Sequence, residues 1–357
     1  LPLQNLNRIK SWSTIFFAAL SLLLSNLILF SYGFLQRNQR FYLGNKTTDL
    51  TAPWLAPYIP LTEVNATNCL VHKTISQSLK NCNIDRFPNA RTIYFVGDSL
   101  NEALSQAAWV VSKNLKNNIY IHSRQETLFP VNNAYLKGNN ILGLGKKQRL
   151  ENGKIQNQFK EFILKNIKQN DIVVITTSYP SYFTSLRGKN IYNDIDLKDF
   201  AFFDSLGNNL KNQDEFFSDW VKNLDELIKE LKNKKAKIIF TKAGPFFRDT
   251  GFEGIRGGIS SICTKEWFRF VECKKESSYF VGINGQYSKI HAEIENLENK
   301  HENFYIFDTF KVVCPDSVCF YSRNNISLYR DSFHYSNYNS REIIGPELIK
   351  FIKKINE

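Results

Sequence analysis

The stretch that decides the fold is Ile93-Tyr94-Phe95-Val96-Gly97-Asp98-Ser99. Its first four residues are aromatic or β-branched, which is typical of a buried strand. Gly-Asp-Ser ends the strand and Asn101 and Glu102 open a helix, so the Ser99 hydroxyl is predicted at the carboxyl edge of a sheet, near a helix N-terminus. A serine in that position is either a nucleophile or a hydroxyl that caps a strand-to-helix turn.

Around this stretch, short apolar runs alternate with amphipathic segments. The predicted strands are 92–96, 118–122, 172–176, 238–240 and 304–307, and the predicted helices are 101–115, 157–167, 215–231, 290–297 and 340–355. Strands that alternate with helices favour a parallel sheet covered on both faces. The sequence therefore predicts an α/β fold: a three-layer α/β/α sandwich of flavodoxin-like type with a mainly parallel sheet.

The chain also offers a base for Ser99, in the stretch Asp331-Ser332-Phe333-His334. His334 can take the proton from the serine hydroxyl, and Asp331 can hold the imidazole in the right tautomer and stabilise its charged form. The alternative is a hydrogen-bonded loop histidine beside an ordinary aspartate.

The N-terminal region predicts a membrane anchor. No charged residue occurs from Ser11 to Gln36, and the apolar run is long enough to cross about 30 Å of hydrocarbon as a helix. A cleavable signal peptide fits less well, because the run is too long and no small-residue cleavage site closes it before Arg37. We expect a cytoplasmic edge and transmembrane helix in 1–36, a linker and cap region in 37–90, and a catalytic domain in 91–357.

All six cysteines follow the apolar run. They form three locally close pairs, Cys69–Cys82, Cys263–Cys273 and Cys314–Cys319. Local disulfides would place the large domain in an oxidising, extracytoplasmic compartment. The alternatives are free buried thiols or a metal site, but no C-x-x-C pair or His-x-x-x-His cluster occurs, so no metal is expected.

The net charge of +12 comes largely from lysines spread along helical faces, which is typical of a solvated surface. Nucleic acid is not expected as a partner, since that would need clustered basic and aromatic residues on one surface. An anionic membrane surface or an acidic glycan is the favoured counterpart. The chain begins at Leu1 and contains no methionine, so we expect the native start to lie upstream.

The Gly97-Asp98-Ser99 block and the Asp331-x-x-His334 block together resemble the SGNH (GDSL-like) hydrolases. The C-terminal region is more specific, because Cys314-Pro315 through Cys319, followed by Tyr329-Arg330-Asp331 and His334, is similar to the SGNH domain fused to bacterial OafA-like membrane O-acyltransferases. The segment from Pro245 to Cys273 also resembles an insertion of those domains. The resemblance covers roughly residues 70–355.

This resemblance implies that Ser99, Asp331 and His334 form a catalytic triad that moves an O-acetyl group to or from a cell-surface polysaccharide such as lipopolysaccharide. It implies acetyl-CoA as the ultimate acyl donor, handled by a multi-helix membrane domain that this stretch of sequence lacks, and no cofactor in the domain itself. It places the domain on the periplasmic side of the inner membrane. A free glycan O-acetyl esterase and a non-catalytic, membrane-tethered glycan-binding module are the alternatives.

The oxyanion hole is the part of the resemblance that the sequence matches least. The family's glycine and asparagine have no clear copies, and Thr177-Ser178-Tyr179-Pro180 follows the third predicted strand instead. The candidate donors are Ser99, Thr177 and Ser178, with Asn132 as a weaker one. Losing one such donor typically costs about 100 to 1,000-fold in rate.

Overall fold

The computed structural model describes residues 2–37, 82–84, 87–125, 127–131, 133–136, 146–179, 200–204, 208–247, 274–281, 288–323, 326–329 and 333–357. The chain divides into two compact units, and the described part of the first is the N-terminal helix α1 (Pro2–Arg37). Most of the predicted linker, 37–90, lies outside the described residues.

Helix α1 contains an apolar window, Thr14–Ser31, with a mean hydropathy of 2.1 and none of its residues buried. Eighteen helical residues extend about 27 Å, close to the hydrocarbon thickness of a bilayer. The predicted apolar helix is therefore confirmed, and its insertion in a membrane stays a prediction.

The second unit contains the strands and the remaining helices. The strands are β1 (Asn83–Ile84), β2 (Thr92–Gly97), β3 (Asn118–Ser123), β4 (Asn133–Leu136), β5 (Ile172–Thr176), β6 (Phe200–Phe203), β7 (Asn209–Leu210), β8 (Lys237–Thr241), β9 (Lys274–Glu276), β10 (Phe304–Phe307), β11 (Val318–Phe320), β12 (Ser322–Arg323) and β13 (Ile326–Ser327). The helices are α2 (Ser99–Ala103), α3 (Ser105–Leu115), α4 (Lys146–Asn166), α5 (Gln213–Asn233), α6 (Ser278–Val281), α7 (Ser288–Lys300), α8 (Thr309–Val313) and α9 (Gly345–Lys354), with a π-helical turn at Asn339–Ile344.

The central sheet has the order β1-β3-β2-β5-β8-β10. The short β1 is antiparallel to β3, and every other neighbouring pair is parallel. The chain thus moves from β2 outward to β3, and then crosses to β5 on the other side of β2. This reversal is a topological switch point, where open α/β sheets bind their ligands at the carboxyl ends of the strands.

Helices cover both faces of this sheet. On one face the α4 residue Phe162 contacts Tyr120 of β3, while the α5 residue Trp220 contacts Phe240 of β8. On the other face Phe351 of α9 packs against Phe307 of β10. Strand β5, in the middle, is buried along its whole length. The predicted mainly parallel α/β/α sandwich is confirmed.

Most predicted elements differ from the observed ones by a few residues at their ends, and three helices differ by more than that. Helix α4 begins at Lys146 rather than at 157, the predicted helix 101–115 is divided at Leu104, and the predicted helix 340–355 opens with the π-helical turn. The early start of α4 escaped prediction because its first half has polar residues on the buried side. A small sheet of order β4-β6-β7 was also not predicted.

The predicted disulfide Cys314–Cys319 is confirmed. It joins the end of α8 to β11. Cys82 is also disulfide-bonded. Because Cys69, Cys263 and Cys273 lie outside the described residues, the pairings Cys69–Cys82 and Cys263–Cys273 stay predictions.

Candidate active site

The turn that carries Ser99 requires a glycine and an aspartate for separate reasons. A Cβ atom at Gly97 would lie 1.6 Å from the Thr176 carbonyl oxygen, so β2 and β5 approach too closely for any side chain at this position. Asp98 caps helix α2, because its Oδ1 accepts a hydrogen bond from the Leu100 amide at 2.9 Å. Ser99 is the first residue of that helix, at the carboxyl end of β2, where the sequence placed it.

Asp98 also links the two strands of the switch point. Its side chain is fully buried, and Oδ2 accepts hydrogen bonds from the Ser178 amide at 2.7 Å and from the Ser178 hydroxyl. Burial raises the pKa of the Asp98 carboxyl, while the Ser178 and Leu100 donors act in the opposite direction. The residue before Ser99 is thereby tied to the loop that follows β5.

His334 comes from a segment 235 residues later in the chain, and its Nε2 lies 2.8 Å from Ser99 Oγ. The imidazole lies beside the Phe333 ring, with 3.9 Å between ring centroids. Phe333 in turn stacks on Phe246, which follows β8, at 4.7 Å and an interplanar angle of 6°. The structure therefore brings the predicted nucleophile and the predicted base into hydrogen-bonding contact, with aromatic rings on one side of the base.

The segment that carries His334 is anchored by its neighbour Tyr335. This side chain is buried, and its backbone forms an antiparallel bridge with Tyr329. A Cβ atom at Gly244 would lie 2.3 Å from the Tyr335 hydroxyl oxygen, so the tyrosine occupies space that only a glycine leaves open. Asp331, the third predicted member of the triad, lies outside the described residues.

The candidate oxyanion donors differ in how they are engaged. Both donors of Ser178 are directed at Asp98. The Thr177 hydroxyl is buried and has no hydrogen-bond partner among the described residues. The Ser99 amide is one of the first amides of a helix, which have no acceptor inside the helix. Asn132 lies outside the described residues.

Sequence reasoning missed two residues beside this turn. The carbonyl oxygen of Gly97 accepts a hydrogen bond from the Arg124 amide and another from Gln156 Nε2, each at 3.0 Å. Arg124 directly follows β3, and Gln156 belongs to α4. The signal that identifies Gln156 in the sequence is its position three residues before Phe159, which places it on the buried side of a helix that begins earlier than the predicted residue 157.

A serine at the switch point of a parallel sheet, in hydrogen-bonding contact with a histidine from the C-terminal region, defines the class of α/β proteins with a serine–histidine site. Over residues 68–346 the chain matches the family of SGNH domains that are fused to AT3 domains, and it belongs to that family. Membership supports an enzyme that transfers or hydrolyses acyl groups.

Solved structures with a similar fold include proteins from bacteria and a fungus. The periplasmic domain of a lipopolysaccharide acetyltransferase from Salmonella ser. Paratyphi A is 14% identical, with a TM-score of 0.47, and the match covers 85% of this chain and 100% of that one. A carbohydrate esterase family 2 enzyme from Corynascus thermopiles (Myceliophthora fergusii) is 9% identical, with a TM-score of 0.37 and coverages of 76% and 68%. A GDSL-like lipase from Bacteroides thetaiotaomicron is 11% identical, with a TM-score of 0.35 and coverages of 83% and 98%. No curated protein sequence gives a significant match.

Proposed function

We propose that this domain moves O-acetyl groups to or from a cell-surface polysaccharide, with Ser99 as the nucleophile and His334 as the general base. The observation that carries the proposal is the 2.8 Å contact between His334 Nε2 and Ser99 Oγ. This distance lies within the range over which a general base accepts the proton of a serine hydroxyl. Membership in the SGNH family supports the same chemistry.

In the proposed reaction Ser99 Oγ attacks the carbonyl carbon of an acetyl ester, and His334 Nε2 takes the hydroxyl proton. The tetrahedral intermediate collapses when the bond from carbon to the leaving alcohol breaks, and His334 returns the proton to that alcohol. A sugar hydroxyl or water then attacks the acetyl-serine, with His334 again as the base, and Ser99 recovers its proton. Asp331 is proposed to orient the imidazole.

For the oxyanion we propose the Ser99 amide and the Thr177 hydroxyl as donors. Ser178 is a weaker candidate, because its amide and its hydroxyl both donate to Asp98. The Thr177 hydroxyl is buried and has no partner in the described part of the chain, which is costly unless something accepts its hydrogen bond. The negative oxygen of the tetrahedral intermediate is the acceptor we propose.

We propose transfer to a glycan hydroxyl rather than hydrolysis as the physiological outcome, since the family is described as fused to AT3 domains. A multi-helix membrane domain of that kind would deliver the acetyl group, with acetyl-CoA as its ultimate source. The apolar helix α1 supports a membrane anchor for the domain, and the Cys314–Cys319 disulfide supports a periplasmic position.

The test is turnover of a chromogenic acetyl ester by the purified chain. Ser99→Ala and His334→Ala should each abolish turnover. Asp331→Asn should retain a low turnover, reduced by about 10,000-fold as in the serine-protease template. The wild-type rate with either alanine variant would refute the assignment, and a wild-type chain without turnover would favour the glycan-binding alternative.

His301→Ala is the matched control for His334. His301 Nε2 lies 2.6 Å from Asp225 Oδ1, so it too belongs to an Asp–His pair. That pair joins helix α5 to the end of α7. Among the described residues, no serine hydroxyl is hydrogen-bonded to His301. The control variant should therefore keep wild-type turnover.

A further inference from the structure

The buried side of helix α4 changes character along its length. Arg149, Asn152, Gln156, Phe159 and Ile163 recur at intervals of three or four residues, so they share one face of the helix, and all five are buried. The two C-terminal members are apolar and pack in the core, whereas the three N-terminal members are polar. Burying polar groups costs free energy unless they are hydrogen-bonded or ion-paired. The next question is therefore which groups the polar half of this face contacts.

The polar half lies at the edge of the sheet that carries Ser99. Gln156 Nε2 donates to the Gly97 carbonyl oxygen at 3.0 Å, and Asn152 Nδ2 donates to the Gln125 carbonyl oxygen at 3.0 Å. Gly97 ends β2, and Gln125 follows β3 by two residues. The polar half of α4 thus covers the carboxyl ends of the two strands beside the nucleophile.

Arg124 lies under this part of the helix. In β3 the side chains of Tyr120 and His122 contact Phe162 and Phe159 of α4, with ring centroids 5.8 and 4.1 Å apart. Alternation along the strand places Arg124 on the same face. Its side chain is 5% exposed, and Nε and Nη2 have no hydrogen-bond partner among the described residues.

A buried guanidinium with two nitrogens that lack acceptors can bind an anionic ligand. Burial lowers the pKa of Arg124 to about 10, with Glu151 acting in the opposite direction, so the group stays charged at neutral pH. Buried guanidinium nitrogens without hydrogen-bond acceptors are costly, and the Nε and Nη2 donors of one guanidinium match the two oxygens of a carboxylate or phosphate.

We propose that Arg124 binds a carboxylate or phosphate group of the acyl acceptor, so that this domain acts on an acidic glycan. The inference rests on the proposed function of Ser99, because it assigns the anion site to the substrate of that serine. Gln156 Oε1 is a further buried polar atom on this face without a hydrogen-bond partner among the described residues.

Binding is tested first. The sample is the full chain with the Ser99→Ala substitution, in detergent micelles, so that turnover plays no part. Sodium glucuronate and glucose 6-phosphate are the acidic probes, glucose is the neutral one, and ionic strength is matched with sodium chloride. At least one acidic sugar should raise the melting temperature in a saturable way, and glucose should not. The two acidic probes distinguish a carboxylate site from a phosphate site.

Arg124→Gln, added to this background, should weaken acidic-sugar binding about 10 to 100-fold, the contribution expected of a charge-assisted pair. Lys154→Gln is the matched control, since it removes the same charge from the exposed side of α4 and should leave binding unchanged. A melting-temperature effect of glucose equal to that of both acidic sugars, or equal losses of binding in the two variants, would overturn the proposal. A large fall in the melting temperature of ligand-free Arg124→Gln would also overturn it, because it would show that the guanidinium supports the fold.

Turnover gives the second readout. With Ser99 restored, the acidic substrate is the O-acetylated form of whichever acidic sugar binds. The ratio of its kcat/KM to that of O-acetylated glucose should fall about 10 to 100-fold in Arg124→Gln and not in Lys154→Gln. If the wild-type chain turns over neither ester, the proposed function fails, and the melting experiment still decides the anion site on its own. A wild-type chain that uses both esters equally would contradict the anion site while leaving the serine chemistry intact.

Discussion

Replacing Gly97 by alanine tests whether the close approach of β2 and β5 is what positions the nucleophile. The new methyl carbon would start 1.6 Å from the Thr176 carbonyl oxygen, and Gly97 is paired directly with Thr176 across the two strands. Because non-bonded carbon and oxygen atoms need more than about 3 Å, the strands must separate by more than about 1 Å at this point. This separation would break the hydrogen bond that the Asp98 amide donates to the Thr176 carbonyl oxygen at 3.3 Å.

The expected cost has two parts. Forcing extra volume into a packed interior costs about 1–3 kcal/mol, and losing one backbone hydrogen bond costs about 1 kcal/mol. A total of about 2–4 kcal/mol lowers the melting temperature by roughly 4–16 °C for a domain of this size. Turnover should fall by about 100-fold or more, since a displacement of 1 Å is enough to misplace a reacting group.

The assays are thermal melting and acetyl-ester turnover of the same preparation. Gly345→Ala is the matched control, because a Cβ atom there has its nearest contacts at 3.3 Å, with the Ser340 carbonyl oxygen and Val110 Cβ, and Gly345 begins helix α9. That variant should lose less stability than Gly97→Ala and react like the wild-type chain, because contacts of 3.3 Å need only a shift of a few tenths of an ångström. Wild-type melting and turnover in Gly97→Ala would refute the argument that strand proximity sets the geometry of Ser99.

Two further predictions concern the pH dependence and the topology. Burial lowers the pKa of His291 from 6.5 to about 4, so the unfolded chain binds more protons between these values, and the free energy of unfolding should decrease by up to about 3 kcal/mol as the pH falls from 6.5 to 4. In urea unfolding, His291→Gln should reduce the change of the unfolding free energy with pH. If the change with pH equals that of the wild type, another group causes it. Protease added to intact spheroplasts should cleave the large domain, because disulfides such as Cys314–Cys319 form in oxidising compartments; cleavage only after lysis would reverse the topology.

Much of the sheet was predictable because its strands are continuous apolar runs with clear ends. The predicted strands 172–176 and 304–307 have the bounds of β5 and β10. A strand buried on both faces needs apolar residues at every position, and such runs are visible in a single sequence. Ser99 and His334 were predictable for another reason, since each belongs to a short motif whose residue types follow from their chemistry.

The linkage between Asp98 and Ser178 was not predictable from the sequence. These residues lie 80 positions apart, and their contact depends on β2 and β5 becoming neighbours across the switch point. The sequence suggested Ser178 as an oxyanion donor because it follows a strand at the right edge. Strand order, which periodicity does not reveal, decides that it instead donates to a buried carboxylate.

The turn that presents Ser99 is held from both neighbouring strands, and this affects how the Arg124 substitution is read. The Gly97 carbonyl oxygen accepts from the Arg124 amide on the β3 side, while Asp98 accepts from Ser178 on the β5 side. A change of the Arg124 side chain leaves its backbone amide in place, so Arg124→Gln removes the guanidinium without removing this support. A fall in acidic-sugar binding in that variant therefore reports on the guanidinium rather than on a displaced serine, whereas Gly97→Ala moves the turn and keeps the guanidinium. The two substitutions separate the geometry of the nucleophile from recognition of the acceptor.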